Sequence, residues 1–140
     1  MGREDAAGGS AASKNSTKTK VMTLIEAINK SDGKFKNDDL LAVQEFIDDC
    51  GRYIERVTAM EAALQVARFR LEPEDYRQLI VDLDRGRKLA HDALIASVRL
   101  VNRLCGVYGV PKIYDGPDER IPIAEFAMEV TSEFFKERRL

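Results

Sequence analysis

The 140-residue sequence predicts an all-α fold: an up-and-down helical bundle of about four helices, with two long central helices forming an antiparallel hairpin. Three observations lead there. Apolar residues recur at three- and four-residue intervals through most of the chain. The breaks between periodic stretches are short and carry glycine or proline. No strand-like alternation is longer than the "VPKIY" run. One core suits the length, because a chain of this size buries roughly two thirds of its unfolded surface.

Residues 1–20, "MGREDAAGGSAASKNSTKTK", hold almost nothing to bury, so they are expected to form a disordered tail, with a single helical domain over residues 21–140. From Val21 the spacing of Val21, Leu24, Ile25 and Ile28 predicts a short first helix, ended by "KSDGKF" at Gly33. A second helix begins near Asn37 or Asp38, with acidic residues in its first turn. Its stripe runs Leu40, Val43, Ile47, Cys50, Ile54, Val57, Met60, Leu64, Ala67, Leu71, and Gly51 is its weakest helix former. Pro73 restricts Glu72 and fits the first turn of a third helix.

That third helix carries Tyr76, Ile80, Leu83, Ala90, Leu94, Val101, Leu104 and Tyr108 on one face, with Arg87 and Ser97 in the two vacant heptad positions. Such a stripe ordinarily means core packing. "GVYGVP" terminates it with Gly106, Gly109 and Pro111. The turn-rich "PKIYDGPDER" then leads to a last helix opened by Pro122, with Ile123, Phe126, Ala127, Val130, Phe134 and Phe135 inside and Lys136, Arg138 and Arg139 at the negative end of its dipole.

Pairing the long helices about residue 72 sets residue 72 minus k opposite residue 72 plus k. Cys50 then faces residue 94 and Cys105 faces residue 39, roughly 16 Å apart along the axis, which predicts two separate buried thiols. The same register puts His91, the one histidine, opposite Tyr53, with Asp49 and Arg56 nearby. His91 lies about 80° from the centre of its stripe, in file with Asp84 and Asn102, and Arg87 lies between.

Several function classes fall away. Residues 1–20 carry four Lys/Arg and two Asp/Glu, and residues 21–140 carry eighteen and twenty-two, so the domain is net acidic and nucleic acid is not expected as a partner. No run of about 18 apolar residues exists, and the N-terminus lacks a signal-peptide centre; no membrane partner and a cytoplasmic location are expected. One histidine and two distant cysteines make a poor zinc set, and the Glu-x-x-His pairs of di-iron bundles are missing, so no metal and no cofactor are expected. "GVYGVP" follows a helix instead of opening one, and so is no phosphate loop.

The remaining candidates for a ligand site are Tyr53, Asp84, Arg87 and His91, together with Asn102, Arg103, Tyr114 and Arg120 around the last loop. No catalytic set is assigned, since neither Ser97 nor Cys105 stands beside His91 as a nucleophile. The reading of His91 as a polar contact that fixes the register with Tyr53 stands beside one in which Arg87 offers bidentate recognition to an anion.

"AHDALIASVRLVNRLC", "GVPKIYDG", "DER" and "IAEFAMEV" resemble a family of small, uncharacterised bacterial helical proteins classed as a domain of unknown function. The resemblance spans about residues 38–138 and implies an all-helical domain. It makes His91, Asn102, Arg103, Tyr114 and Arg120 the positions in the family's distinctive segments, and it implies no activity. The expected function is therefore a non-enzymatic interaction module. The long hairpin outruns its short neighbours and leaves an apolar stripe that a homodimer would cover, and a protein partner is a further expectation. The alternative is a binder of a small anionic molecule, or an unassigned enzyme, with a polar pocket around His91 and Arg87.

Overall fold

The structure is a computed structural model that describes residues 16–138. Four helices follow one another among them: α1 (Thr17–Lys30), α2 (Lys36–Ala67), α3 (Pro73–Val107) and α4 (Ile123–Arg138). One 3-10 turn, Asp118–Arg120, lies in the last connection. The all-α bundle with its long antiparallel hairpin is the fold that the apolar spacing predicts. Residues 1–15 of the expected tail, Arg139 and Leu140 lie outside the described residues, as do the side chains of Phe135, Lys136 and Arg138.

The first boundary differs from expectation. Helix α1 starts at Thr17, four residues before Val21, so residues 17–20 belong to the helix and not to the tail. Ser16 caps it: its Oγ accepts the Thr19 N–H at 3.1 Å. Glu129 of α4 accepts the Lys18 N–H at 2.9 Å, and Thr17 is buried. Half of this capping arrives from a carboxylate 111 residues away, which local sequence does not announce.

Helix α2 carries Asp38 and Asp39 in its first turn, and Asp39 accepts the Tyr108 hydroxyl at 2.5 Å, clasping the start of α2 to the end of α3. Pro73 opens α3, behind an extended Glu72. The end of α3 is a Schellman motif: Val110 N–H donates to Cys105 C=O at 2.9 Å and Gly109 N–H to Gly106 C=O at 3.3 Å. Gly109 sits at φ +67°, where a Cβ would be strained.

The core occupies one end of the hairpin. Phe46, Leu24, Ile28, Leu94, Val21, Val43, Val98, Val101 and Val130 are fully buried, with Cys50 and Cys105 among them. Burying each of the larger side chains is worth about 1.5–3 kcal/mol. Helices α1 and α4 both lie against α2 in this region, and both thiols are free, as their separation required. From residue 54 to residue 93 the picture changes, for Ala67 is the one apolar residue there that is buried. The seam residues Val57, Met60, Leu64, Leu79, Ile80 and Leu83 are half-buried. The hairpin thus extends past the four-helix core as a two-helix arm, about 21 Å long measured on residues 54–67 of α2.

Candidate functional site

The expected site residues fall into two groups and two solitary side chains. On the arm, Arg87 donates from Nε to Asp84 Oδ1 at 3.0 Å, with a second nitrogen also at 3.0 Å. This bond to Asp84 holds the guanidinium pKa above its ordinary value, and the Tyr53 hydroxyl adds to the effect. His91 stacks obliquely on Tyr53, with centroids 6.3 Å apart and planes at 55°, so the residue opposed to it by the hairpin arithmetic is its neighbour in space. Its Nδ1 lies 3.4 Å from Asp92, an adjacent residue.

Asn102 belongs elsewhere, eleven residues and about 16 Å further along α3. Its Oδ1 accepts the N–H of Ile113 at 2.9 Å and of Tyr114 at 3.3 Å, and its Nδ2 donates to the Tyr114 carbonyl at 2.8 Å. All of its hydrogen bonds to the loop backbone are structural, pinning residues 113–114 so that Ile113 enters the core. Tyr114 packs edge-on against Phe126 at 6.1 Å and its hydroxyl donates to Pro117 C=O at 2.8 Å. Arg103 and Arg120 stand exposed and join neither group. Arg99, absent from the expected set, ties the loop down through Asp118 at 2.8 Å.

A groove of about 560 Å³ lies between the two arm helices, at the junction with the core. Asp49, Arg52, Glu55, Arg56 and Ala59 line it from α2, and Gly86, Leu89, Ala90 and Ala93 from α3. At 100° per residue these α3 positions lie about 140° round the helix from Asp84, Arg87 and His91. The groove and the expected polar cluster therefore open on different faces of the hairpin. The local signal for the groove is a file of charges at intervals of four, three and four: Glu45, Asp49, Arg52 and Arg56.

Most of that file is internally satisfied. Arg52 reaches Asp49 at 2.6 Å and Glu45 at 2.5 Å, and the bond to Asp49 is the main reason its pKa is raised. Asp49, buried, also accepts the Ser97 hydroxyl across the hairpin. Ser97 fills its vacant stripe position with this contact. Arg56 differs: its Nη1 lies 3.6 Å from where a Cβ on Gly86 would stand, and no carboxylate among the described residues pairs with it. The groove is an apolar floor of small side chains beneath one uncommitted guanidinium.

Among the described residues no cluster of three or more His, Cys, Asp or Glu side chains is placed to hold a metal ion. None of their helices is long and apolar enough to cross a membrane.

A family model described as "Protein of unknown function (DUF3232)" matches residues 9–140. The chain belongs to this family. The match takes in the hairpin, the groove and the Asn102-pinned loop together, so all three are parts of one DUF3232 domain. No curated protein matches the chain.

Proposed function

We propose that this DUF3232 chain is a non-enzymatic interaction module that associates with a second copy of itself through the two-helix arm and, in that form, engages a protein partner. The observation that carries the reading is the arm. Val57, Met60, Leu64, Leu79, Ile80 and Leu83 form a seam that two helices alone leave half-open, while α1 and α4 close the equivalent seam at the core. Leu89 at 67 % exposed and Phe69 at 80 % extend the apolar surface. Covering the exposed Val66, Phe69 and Leu89 gains about 1 kcal/mol or more each, so a second helix pair laid on the arm recovers what the monomer leaves unburied. Two-fold assembly makes every such contact twice.

The anionic-ligand reading around His91 and Arg87 receives less support, because Arg87 is already committed to Asp84 and His91 rests on Tyr53 away from the groove. A cytoplasmic setting fits the two buried free thiols, which a reducing compartment preserves. Sedimentation equilibrium across micromolar concentrations tests the proposal. A monomer–dimer equilibrium is expected, and a compact monomer over the whole range overturns it.

A further inference from the structure

We infer that the two arms pair antiparallel in a tip-to-groove register, the apex of each arm seated in the groove of the other. The inference rests on the self-association proposed above and specifies its geometry.

The apex is built like an insert. Residues 68–72 turn from α2 into α3, and Phe69 is 80 % exposed with the Arg68 guanidinium 5.4 Å from its ring centroid. Val66 and Leu71 flank it, also exposed. The same turn carries opposite charges without ion-pair partners among the described residues, Arg70 and Glu72. The groove is built like a receptor. Gly86, Ala59, Ala90 and Ala93 make a floor without bulk, Leu89 forms a wall, and 560 Å³ is ample for one aromatic ring. Its rim offers the complementary pair: uncommitted Arg56, and Glu55.

The spacing along α2 connects the two. A two-fold axis between residues 62 and 63 sets residue i opposite residue 125 minus i of the other copy. Arg56 then lies beside the partner's Phe69, Ala59 beside the partner's Val66, Glu55 beside the partner's Arg70, and the partner's Glu72 falls next to Arg52 and Arg56. At the axis itself stand Ala62 and Ala63, whose small side chains let two helix backbones approach closely. An aromatic in a pocket, with Glu55 beside the partner's Arg70 and Arg56 beside the partner's Glu72, made twice by symmetry, is the composition of an interface centre.

The full chain tests this through dimer dissociation measured by sedimentation equilibrium. Phe69, Arg56 and Glu72 are exposed, so their substitution leaves the monomer's melting temperature unchanged. Phe69→Ala is expected to raise the dimer Kd more than about tenfold. Arg56→Glu and Glu72→Arg each weaken the dimer, and the two together restore Kd to within about threefold of the wild type. A wild-type chain that never dimerises overturns the association and this register with it. A wild-type dimer indifferent to Phe69→Ala and to the charge exchange overturns the register alone, and assigns the groove to another occupant.

Discussion

Replacing Asn102 by alanine separates a structural residue from a ligand-binding one. The side chain makes three hydrogen bonds to the backbone of residues 113 and 114, two accepted and one donated, in a half-buried position. Truncation leaves two N–H groups and one carbonyl to find water or go unpaired. At about 1 kcal/mol for each such bond the loss is about 2–3 kcal/mol. In a chain of this size 1 kcal/mol moves the melting temperature by about 3–4 °C, so Asn102→Ala is expected to melt about 6–12 °C below the wild type. Asn102→Asp keeps both accepted bonds but sets a carboxylate against the Tyr114 carbonyl, and should fall between the two. Arg103→Ala, one residue on and exposed, serves as the control and should shift the midpoint by under about 2 °C. Circular dichroism melts of the three variants suffice. An Asn102→Ala midpoint within about 2 °C of the wild type refutes the reasoning and returns Asn102 to the set of groups free to meet a ligand.

Phe46→Ala empties the centre of the four-helix core, and urea unfolding should show it less stable by about 3–5 kcal/mol. Gly109→Ala forces a Cβ into the left-handed conformation at φ +67°, costing about 1–2 kcal/mol by the same assay, whereas Gly106→Ala meets nothing within 4 Å and should be neutral or stabilising. Burial, with the neighbouring Asp49 charge second, pushes the Cys50 thiol far above its ordinary range, and burial also raises Cys105. A thiol raised in the fold contributes stability that is complete below its unfolded pKa, about 8.5, and is lost as pH climbs past it. The urea midpoint should therefore fall between about pH 8 and pH 10, and a Cys50→Ala, Cys105→Ala double variant should fall less steeply. Ellman's reagent should label both thiols in urea and neither in the native chain.

The helices, the hairpin and its register were legible because each rests on local rules: the apolar period, Pro73 as a first-turn residue, Gly109 as a terminator. Register followed from a short turn and rigid helices, which is why Tyr53 lies against His91 as residue arithmetic required. The start of α1 was missed because Glu129, far along the chain, supplies part of its cap. The expected polar cluster divided for a similar reason. Asn102 shares a helix face with His91, but loop backbone that folds over α3 consumes its hydrogen bonds. The groove was hidden by its own material: Gly86, Ala59, Ala90 and Ala93 are unremarkable one at a time, and only the pairing of two helices makes their lack of bulk a hollow.

Helices α2 and α3 each run unbroken from the core to the apex, and neither contains a proline past its first turn. The arm is consequently a beam without a hinge, clamped at one end by Phe46, Leu94 and Val98. A tilt of about 5° where it is clamped displaces a tip about 21 Å away by roughly 2 Å. Any molecule that grips the apex thus pulls on the side chains around Cys50, and any loosening of the core is magnified at Phe69.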